Sequence, residues 1–426
     1  MKVLWYSLSP CGSMRRDRVN RYIQGWMISL EDEIKKNKEI ELSVAFFSNR
    51  KEEPFKFEGV HYYPIFMPIS KNKIGRIVGR YKSYKKVDLQ FLPEMLKIVD
   101  MVKPDLIHIH GTEERFGLIQ DFVNIPVVFS IQGLLAPYTE KFYSGLPAHF
   151  VEKNEGVLLK LKGVSSRRNF TDYSYRAKRE LSYLQKAKFV IGRTCFDHVI
   201  PLLCNPTVRL FQGEEILRAD FYNKSWSKTS FAKRIKLVTT ISPGIYKGFE
   251  TLLHAASLLS QYAEFEFEWS IIGYTSEEGW IKIAERYKKM SSKKCSIKFL
   301  GRKNAAEMVD VMLNSDIYIQ VSHIENSPNS VCEAMLLGMP IIASFAGGTS
   351  SILSDGKEGI LVQDGDPYTL AGMIVWLSQN FDSGKKMGIN AKMRALKRHD
   401  RQRISEHLFA TYKEILSLYN NASFKN

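Results

Sequence analysis

Two glutamates eight positions apart, Glu325 and Glu333, are the residues whose type and spacing point most directly to chemistry. A turn-rich segment follows the first of them, and an apolar run that ends at Gly338 predicts a short helix. Glu333 would lie about one turn inside this helix, facing the unpaired N–H groups and partial positive charge of its N-terminus. Because helix N-termini bind anions such as diphosphates, the pattern predicts an anion site flanked by two carboxylates.

Apolar runs on both sides of this segment indicate the elements that position it. Residues 316–321 and 340–344 are typical of buried strands, so the unit is strand, polar loop, short helix and strand. Such a crossover belongs to a parallel sheet, whose ligands bind outside the carboxyl ends of the strands. The side chains expected to cap the helix are those of Ser327, Asn329 or Ser330.

Strand and helix patterns alternate through the rest of the chain, which predicts parallel sheets covered by helices. Residues 200–233, rich in proline, asparagine and polar residues, are typical of a linker between two such units. We therefore expect an α/β protein of two Rossmann-like domains facing each other across a cleft. The expected limits are 1–205 for the first domain, 206–400 for the second and 401–426 for a terminal helix.

The region around the two glutamates resembles the E-x7-E motif of family-4 glycosyltransferases, retaining enzymes of the GT-B fold. The resemblance includes EAMLLGMPIIAS and AGG after the motif, then Asp355-Gly356 and the run 359–362, and it weakens before residue 200. It implies that Glu325 meets the donor sugar and that Glu333 binds the ribose hydroxyls. It implies diphosphate contacts from the loop residues Asn326, Ser327, Pro328, Asn329 and Ser330. It also implies a terminal helix that crosses back to the first domain.

Three further positions follow from the resemblance on the donor side. Lys247-Gly248 matches the family's Lys-Gly, whose cation neutralises the charge that develops on the leaving diphosphate. The arginine that precedes it in the family is absent, since the strand ends in threonine at Thr240, and Arg193 is the expected replacement. Gly12 corresponds to the family's glycine-rich turn near the donor phosphates.

The acceptor side is expected in the first domain, where the strand pattern of residues 105–110 ends in two histidines. His108 and His110 lie on one face of that strand, and His110, nearer the loop, resembles the family's cleft histidine beside the reacting sugar. His108 is interpreted as a core residue. Glu113 is expected to line the acceptor side together with Gln132 and Gly133, where many relatives carry His-Gly.

Composition and charge narrow the class of protein further. The 426 residues are 44% hydrophobic and 25% charged, as in globular chains, and no apolar run approaches the length of a membrane span. The polar turn early in the N-terminus disfavours a secretory signal, and five scattered cysteines favour a reduced, cytoplasmic setting.

The net charge of +16 is concentrated in two basic stretches. Lys71–Lys86 holds seven cations, no acid and interleaved tyrosines, and a second basic stretch runs from residue 160 to 179. Three interpretations stay open for the first patch: an anionic membrane on its inner face or a lipid-linked acceptor, a solvated surface, or nucleic acid. The absence of any known nucleic-acid-binding motif disfavours the last.

These observations favour a hexosyltransferase-type enzyme that moves a sugar from a nucleoside diphosphate donor to a hydroxyl of a glycan or lipid-linked acceptor. The resemblance implies retained configuration and a role in surface polysaccharide synthesis, as capsule, exopolysaccharide or lipopolysaccharide. No cofactor is expected beyond the donor, and no metal, because the two in-line histidines and scattered carboxylates do not supply a zinc ligand set. The alternatives are a sugar-nucleotide epimerase of similar architecture and a basic nucleic-acid-binding protein. The lack of G-x-G-x-x-G disfavours a nicotinamide dehydrogenase.

Overall fold

Two parallel sheets, each covered by helices on both faces, account for the alternating patterns of the chain. The structure is a computed structural model, and it describes residues 1–16, 25–68 and 84–421. Within these ranges the predicted α/β class with two Rossmann-like domains is confirmed. Residues 71–83 of the predicted basic patch lie outside the described residues, as do the side chains of residues 84–86, so the role of the patch stays a prediction.

The strands of the first sheet are β1 Lys2–Ser7, β2 Glu41–Ser48, β3 Phe55–Phe57, β4 Val60–Phe66, β5 Leu106–His110, β6 Val127–Ser130, β7 Phe189–Gly192 and β8 Arg209–Gln212. Among the described residues their order is β3-β4-β2-β1-β5-β6-β7-β8, and only the β3–β4 pair is antiparallel. The helices of this domain are α1 Trp26–Ile34, α2 Tyr84–Gln90, α3 Leu92–Val102, α4 Leu135–Glu140, α5 Ala148–Asn154, α6 Val157–Leu161, α7 Ser166–Leu184 and α8 Cys195–Cys204.

The strands of the second sheet are β9 Arg234–Thr240, β10 Glu266–Ile272, β11 Ile297–Gly301, β12 Ile317–Gln320, β13 Ile341–Phe345 and β14 Ile360–Gln363. Their order, β11-β10-β9-β12-β13-β14, is that of the Rossmann fold, and it reverses direction between β9 and β12. The helices are α9 Phe249–Tyr262, α10 Gly279–Lys288, α11 Ala305–Leu313, α12 Asn329–Leu337, α13 Thr349–Ile352, α14 Pro367–Gln379, α15 Phe381–Arg398 and α16 Arg401–Asn420. The reversal leaves a crevice at the carboxyl ends of β9 and β12.

The terminal helix α16 returns to the first domain and completes its core. Ile404, Leu408 and Tyr412 are buried there against the first sheet. The Tyr412 hydroxyl accepts a hydrogen bond from Trp5 Nε1 at 3.0 Å and lies 2.6 Å from His108 Nδ1. Because three buried polar groups satisfy one another here, the second domain is tied to the first through its C-terminus.

The predicted boundary at residue 205 is too early. Strand β8, Arg209–Gln212, pairs in parallel with β7 and therefore belongs to the first sheet. Only Phe211 of its four residues is buried, because an edge strand buries little of its side-chain surface, and the strand is flanked by the proline- and polar-rich residues that indicated a linker. The connection between the two sheets accordingly begins after Gln212.

A second connection between the domains is formed by residues 141–155. Val151 is buried in the core of the second domain, and the Phe150 ring packs against Tyr287 at a centroid distance of 5.0 Å. The Lys141 ammonium lies 3.3 Å from the Asp364 carboxylate of the second domain. The domains are thus joined on two sides of the crevice by the terminal helix and by this segment.

Candidate active site

A cleft of about 710 Å³ lies between the two domains, where the strand order of the second sheet reverses. Its volume is that of a site for a small molecule or cofactor. Residues after β9, β11 and β12 form one wall, and residues of the first domain form the other. The lining residues include Trp26, Glu113, Gln132, Arg193, Arg218, Thr240, Ser242, Lys247, Arg302, Lys303, Ser322, Glu325, Ser327, Pro328, Asn329, Ser330 and Glu333.

Helix α12 directs its N-terminus into this cleft. The cap residue is Pro328, with no side-chain cap hydrogen bond, so the predicted caps Ser327, Asn329 and Ser330 are wrong. Those three residues line the cleft instead, and the first N–H groups of the helix face the same space. The residues from 331 to 337 are all buried, which fixes the direction of the helix. This terminus is a positively polarised site for an anion.

Glu325 is held at the cleft wall by an ion pair and by close backbone packing. The Lys247 ammonium lies 2.7 Å from Glu325 Oε1, and both side chains are largely shielded from solvent. Gly248 (φ +75°) follows the lysine, where a Cβ atom would stand 2.0 Å from the carbonyl oxygen of Val321. Gly347 of the AGG sequence lets its chain approach the Glu325 carbonyl in the same way. The glycines of the two motifs therefore set the position of the ion pair.

Glu333 is held by an arginine to which the sequence assigned no role. Arg218 donates to both carboxylate oxygens of Glu333, at 2.7 Å from Nε and 2.7 Å from Nη2. Glu333 is only 4% exposed, and burial raises its pKa, an effect that the Arg218 guanidinium opposes. A bidentate contact of this kind orients the carboxylate at the edge of the cleft. In the sequence, the only indication of this contact was a basic residue shortly after the last strand of the first domain.

Arg193 reaches the cleft, but its charge is balanced within the protein. Its guanidinium pairs closely with Glu215, lies 3.7 Å from Asp197 Oδ2 and donates to the backbone oxygen of Gln132 at 2.7 Å. All three ionic groups are buried. The expectation that Arg193 replaces the missing arginine at Thr240 is therefore corrected, because its positive charge already stabilises two buried carboxylates.

Two other cations, which were not predicted from the sequence, line the cleft. Arg302 and Lys303 directly follow β11 at its carboxyl end and line the cleft. Since the carboxyl ends of parallel strands lie on the same edge of a sheet, these cations face the same region as Thr240. In the sequence, the signal for these cations was the Gly-Arg-Lys run at residues 301–303, directly after an apolar stretch.

His110 does not stand at the cleft surface. It is 3% exposed and packs against the rings of Trp5 and His108, at centroid distances of 4.5 and 3.8 Å. Trp26, which lines the cleft, lies over it at 6.1 Å, and neither His110 nitrogen has a partner among the described residues. Burial lowers its pKa well below the usual range. The prediction is corrected because α1 and α16 cover the face of β5 that carries both histidines.

His108 is a core residue, as interpreted from the sequence. Its Nδ1 lies 2.6 Å from the Tyr412 hydroxyl, and its Nε2 lies 2.6 Å from the hydroxyl of Ser130. Burial lowers its pKa to about 3, so the ring is neutral. This histidine joins β5, β6 and the terminal helix.

Gly12 and Asn326 also lie away from the lining of the cleft. The Gly12 N–H donates to Glu31 Oε2 at 3.0 Å, so a backbone donor expected at a phosphate is already bound to a carboxylate. Asn326 is buried, and its carbonyl oxygen accepts a hydrogen bond of 3.3 Å from the Thr194 hydroxyl across the domain boundary. The expected phosphate role of Gly12 is corrected for this reason, and Asn326 joins the two domains.

The predicted acceptor residues meet on the wall formed by the first domain. Glu113 and Gln132 both line the cleft, and the Glu113 carboxylate lies beside Gly133. Burial raises the pKa of Glu113 to about 7, although Arg176 and Arg193 favour its charged form. A carboxyl group that titrates near neutral pH is suited to bind a hydroxyl and exchange a proton with it.

A second acid lies buried close to Glu113. Glu180 has no exposed surface, and it accepts hydrogen bonds from the Thr112 hydroxyl at 2.6 Å and from the Ala136 N–H at 3.2 Å. Burial raises its pKa to about 8, and the charge of Glu113 adds to the effect. Because both acids favour the neutral form, the acceptor wall is sensitive to pH.

Replacing Glu180 with glutamine is expected to raise the melting temperature, relative to that of the parent, more at pH 8 than at pH 5. In the parent the pKa of Glu180 is about 8 when folded and near 4.5 when unfolded, so stability falls as the pH rises between these values. The loss is about 1.4 kcal/mol per pH unit at most, and the neutral amide escapes it. Calorimetric melting temperatures at the two pH values measure the effect, and Glu94→Gln at an exposed position of α3 is the control. A difference between parent and Glu180→Gln that does not change with pH would contradict the expectation.

The described residues contain neither a cluster of metal ligands nor a membrane-spanning helix. Among residues 1–16, 25–68 and 84–421, no three His, Cys, Asp or Glu side chains are grouped so that they could hold a metal ion. No helix in the same ranges is long and apolar enough to cross a bilayer.

Part of the second domain is similar to a known protein family. Residues 232–380 match the model described as glycosyl transferases group 1. Over 208 residues the chain is 26% identical to an uncharacterized glycosyltransferase of Methanocaldococcus jannaschii, covering 48% of this chain and 50% of that protein. Over 139 residues it is 28% identical to the amylovoran biosynthesis glycosyltransferase AmsK of Erwinia amylovora, covering 31% and 33%. These two matches span half or less of either relative.

Solved structures are similar over nearly the whole chain. Sucrose-phosphate synthase of Thermosynechococcus elongatus has a TM-score of 0.69 at 13% identity, covering 98% of this chain and all of its own. Anabaena HepE, in complex with UDP and glucose, has a TM-score of 0.64 at 17% identity, covering 97% and 99%. At these identities the likeness shows the fold alone. The chain therefore has the predicted GT-B fold, and its residues 232–380 match the family model of the glycosyl transferases group 1.

Proposed function

We propose that this protein is a retaining, metal-independent, hexosyltransferase-type glycosyltransferase that uses a nucleoside diphosphate sugar. The observation that carries the proposal is the juxtaposition, in one interdomain cleft, of the α12 N-terminus, the Lys247–Glu325 pair and Glu333. A helix terminus and a cation favour a diphosphate, and the two carboxylates favour hydroxyl groups on either side of it. A nucleotide sugar has this order of groups: sugar, diphosphate and ribose.

The donor side of the cleft accounts for binding and for stabilising the leaving group. The N–H groups of Ser327, Asn329 and Ser330 face the diphosphate, and Lys247 lies beside it as a fixed positive charge. Arg302 and Lys303 take the place that the sequence analysis gave to Arg193. As the bond to the sugar breaks, negative charge grows on the departing phosphate, and these groups stabilise that charge without rearranging.

The two glutamates orient the ends of the donor. Glu325 accepts hydrogen bonds from the sugar hydroxyls while Lys247 holds its other side. Glu333 accepts from the ribose hydroxyls while Arg218 fixes its carboxylate. Because the reacting carbon lies between two anchored ends, the donor is held with one face toward the first domain.

The acceptor hydroxyl enters from the first domain. Glu113 and Gln132 bind it there. Glu113, which lines the cleft, takes the role beside the reacting centre that was expected for His110. Attack from the face on which the diphosphate leaves gives retained configuration, and the leaving phosphate oxygen takes the proton. His110 supports this wall from behind Trp26.

The relatives support the class of donor and the setting. HepE is described with UDP and glucose bound, and AmsK is named for the biosynthesis of amylovoran. We propose by analogy a nucleotide-sugar donor and a glycan or lipid-linked acceptor of a surface polysaccharide. The corresponding setting is the cytoplasm, at the inner face of the membrane.

Incubation of the purified protein with UDP-, GDP- and dTDP-sugars tests the proposal. One donor is expected to raise the melting temperature and to be hydrolysed slowly, with the released sugar first appearing in the configuration of the donor by NMR. Formation of the 2-epimer of the donor sugar would establish an epimerase in its place. Tight, steeply salt-dependent binding of nucleic acid without any response to nucleotide sugars would also overturn the proposal.

A further inference from the structure

Helix α6 carries apolar side chains that the protein does not bury. None of its five residues is buried, and Val157, Leu158, Leu159 and Leu161 are 69, 67, 39 and 65% exposed. The four side chains point in different directions around a single turn, so no rotation of the helix could bury them together. A contiguous exposed apolar set of this kind marks an interaction surface. We name the segment 156–164 the apolar loop.

The apolar loop stands on a firmly held base. Just before it, the Glu155 carboxylate accepts hydrogen bonds from both the N–H and the hydroxyl of Ser166, which closes the two ends of the loop against each other. The preceding helix α5 is fixed to the second domain by Val151 and Phe150. The exposed side chains are therefore presented by a fixed support that contacts both domains.

The backbone of the apolar loop is largely self-satisfied. Within it, N–H groups donate to carbonyl oxygens three to five residues earlier, at distances of 2.9 to 3.1 Å: Leu159 to Gly156, Lys162 to Leu158, Gly163 to Lys160 and Val164 to Leu159. Backbone groups that enter hydrocarbon must find partners inside the segment, because lipid offers none. This condition is met by the turns of the loop.

The charged side chains within the apolar loop and in the few residues after it are positive. Residues 156–171 contain Lys160, Lys162, Arg167 and Arg168 and no carboxylate. Lys160 and Lys162 alternate with leucines, so their long side chains can reach headgroups while neighbouring apolar side chains enter the acyl region. Basic residues beside an amphipathic segment are attracted to anionic lipid.

We propose that the apolar loop docks this protein on anionic bilayers, with Val157, Leu158 and Leu161 inserted among the lipids. The exposed apolar side chains surround a single turn, so a protein partner would need a site that encloses them, whereas a bilayer accepts apolar side chains without such a site. Because its base contacts both domains, docking holds the junction of the domains at the membrane. The apolar loop shares no residue with the sequence Lys71–Lys86, and the test of its docking does not depend on the proposed transfer reaction.

Flotation of the full-length protein with vesicles tests the docking. Phosphatidylcholine vesicles that contain phosphatidylglycerol are expected to carry the parent upward, and vesicles of phosphatidylcholine alone to carry much less. The double substitution Leu158→Ser with Leu161→Ser is expected to weaken binding about tenfold or more. Leu202→Ser with Leu203→Ser, at exposed positions of α8, is the matched control and is expected to bind like the parent. Equal binding by the loop variant and the control would overturn the proposal.

Two further measurements separate insertion from surface attraction and from protein contacts. In Leu158→Trp, brominated lipids are expected to quench more of the tryptophan fluorescence than they do in the parent, because the new side chain enters the bilayer. If the quenching is the same in both proteins, the side chain does not insert and the proposal is overturned. Lys160→Gln with Lys162→Gln is expected to weaken binding only to the anionic vesicles. If sedimentation instead shows a dimer that the leucine substitutions dissociate, the loop is an interface between two copies, and the proposal fails.

Discussion

Replacing Lys247 with methionine is expected to lower kcat for sugar transfer by about two orders of magnitude, with a smaller effect on KM. The reason is that the leaving diphosphate gains negative charge in the transition state beyond what it carries in the bound donor. Lys247 lies 2.7 Å from Glu325 in a largely shielded site, where a charge acts more strongly than in water. Without the lysine, an unpaired Glu325 carboxylate would also repel the departing phosphate.

Steady-state transfer or donor hydrolysis at saturating nucleotide sugar measures this effect. The matched control is Lys282→Met, an exposed lysine of α10 that pairs with Glu277 and does not line the cleft. It is expected to keep the activity of the parent. A Lys247→Met protein with an unchanged melting temperature and a kcat within a factor of three of the parent would refute the assigned role.

The double substitution Lys247→Met with Glu325→Gln shows how far the two groups act as a unit. If Lys247 serves mainly to hold Glu325, the double variant is expected to be no worse than the less active single variant. If each group contacts the donor separately, the two losses multiply. Either result shows whether Lys247 acts on the donor directly or through Glu325. A double variant no worse than the less active single variant would make Lys247 a positioning residue.

The unit around α12 could be predicted from the sequence because its signals are local. The strands before and after it, its end at Gly338 and the glycines of the AGG sequence all follow from periodicity and backbone requirements. Its N-terminus faces the cleft because a parallel crossover leaves little choice of direction. In this region local preference and tertiary packing agree.

Local composition does not predict the placement of strands β4 and β8 in the first sheet. Pro64 stands inside β4, a pattern that argues against an inner strand, yet β4 pairs on both sides. Strand β8 has four residues and lies at the edge of the first sheet, with only Phe211 buried, so its local sequence does not show to which sheet it belongs. Pairing partners distant in the sequence decide both cases.

The site residues that were wrongly placed depend on long-range contacts. His110 was expected at the cleft, but helix α16, about 300 residues later, and Trp26 of α1 cover its face of the sheet. Arg193 was expected to be an available cation, but Glu215 and Asp197 take its charge. No pattern around either residue reports these neighbours. The donor carboxylates, in contrast, are positioned by one crossover.

The pairing of Arg218 with Glu333 leads to the other large expected effect. Arg218→Met is expected to lower the free energy of unfolding at neutral pH by about 3–5 kcal/mol, because Glu333 would be left buried and unpaired. The destabilisation should shrink as the pH falls toward 4.5, since the raised pKa of Glu333 allows protonation to remove the charge. Urea denaturation at several pH values measures both quantities.

Adding Glu333→Gln to Arg218→Met is expected to restore most of the stability, because the buried charge disappears. It is not expected to restore nucleotide binding. Loss of a charged acceptor for the ribose hydroxyls should weaken UDP binding by about 10- to 100-fold in Glu333→Gln, with or without Arg218. The double variant is therefore expected to have nearly the stability of the parent but a lower affinity for UDP, which calorimetric titration with UDP measures.

A second buried pair in the same domain distinguishes a ligand site from a structural contact. Glu358 is as buried as Glu333, and its oxygen lies 3.1 Å from the Arg394 guanidinium, outside the lining of the cleft. Arg394→Met is expected to destabilise the fold for the same reason but to leave the affinity for UDP unchanged in the folded protein. If both arginine variants bind UDP like the parent once folded, and Glu333→Gln does too, the carboxylate at 333 only supports the helix. The ribose would then have to be held by another group of the cleft.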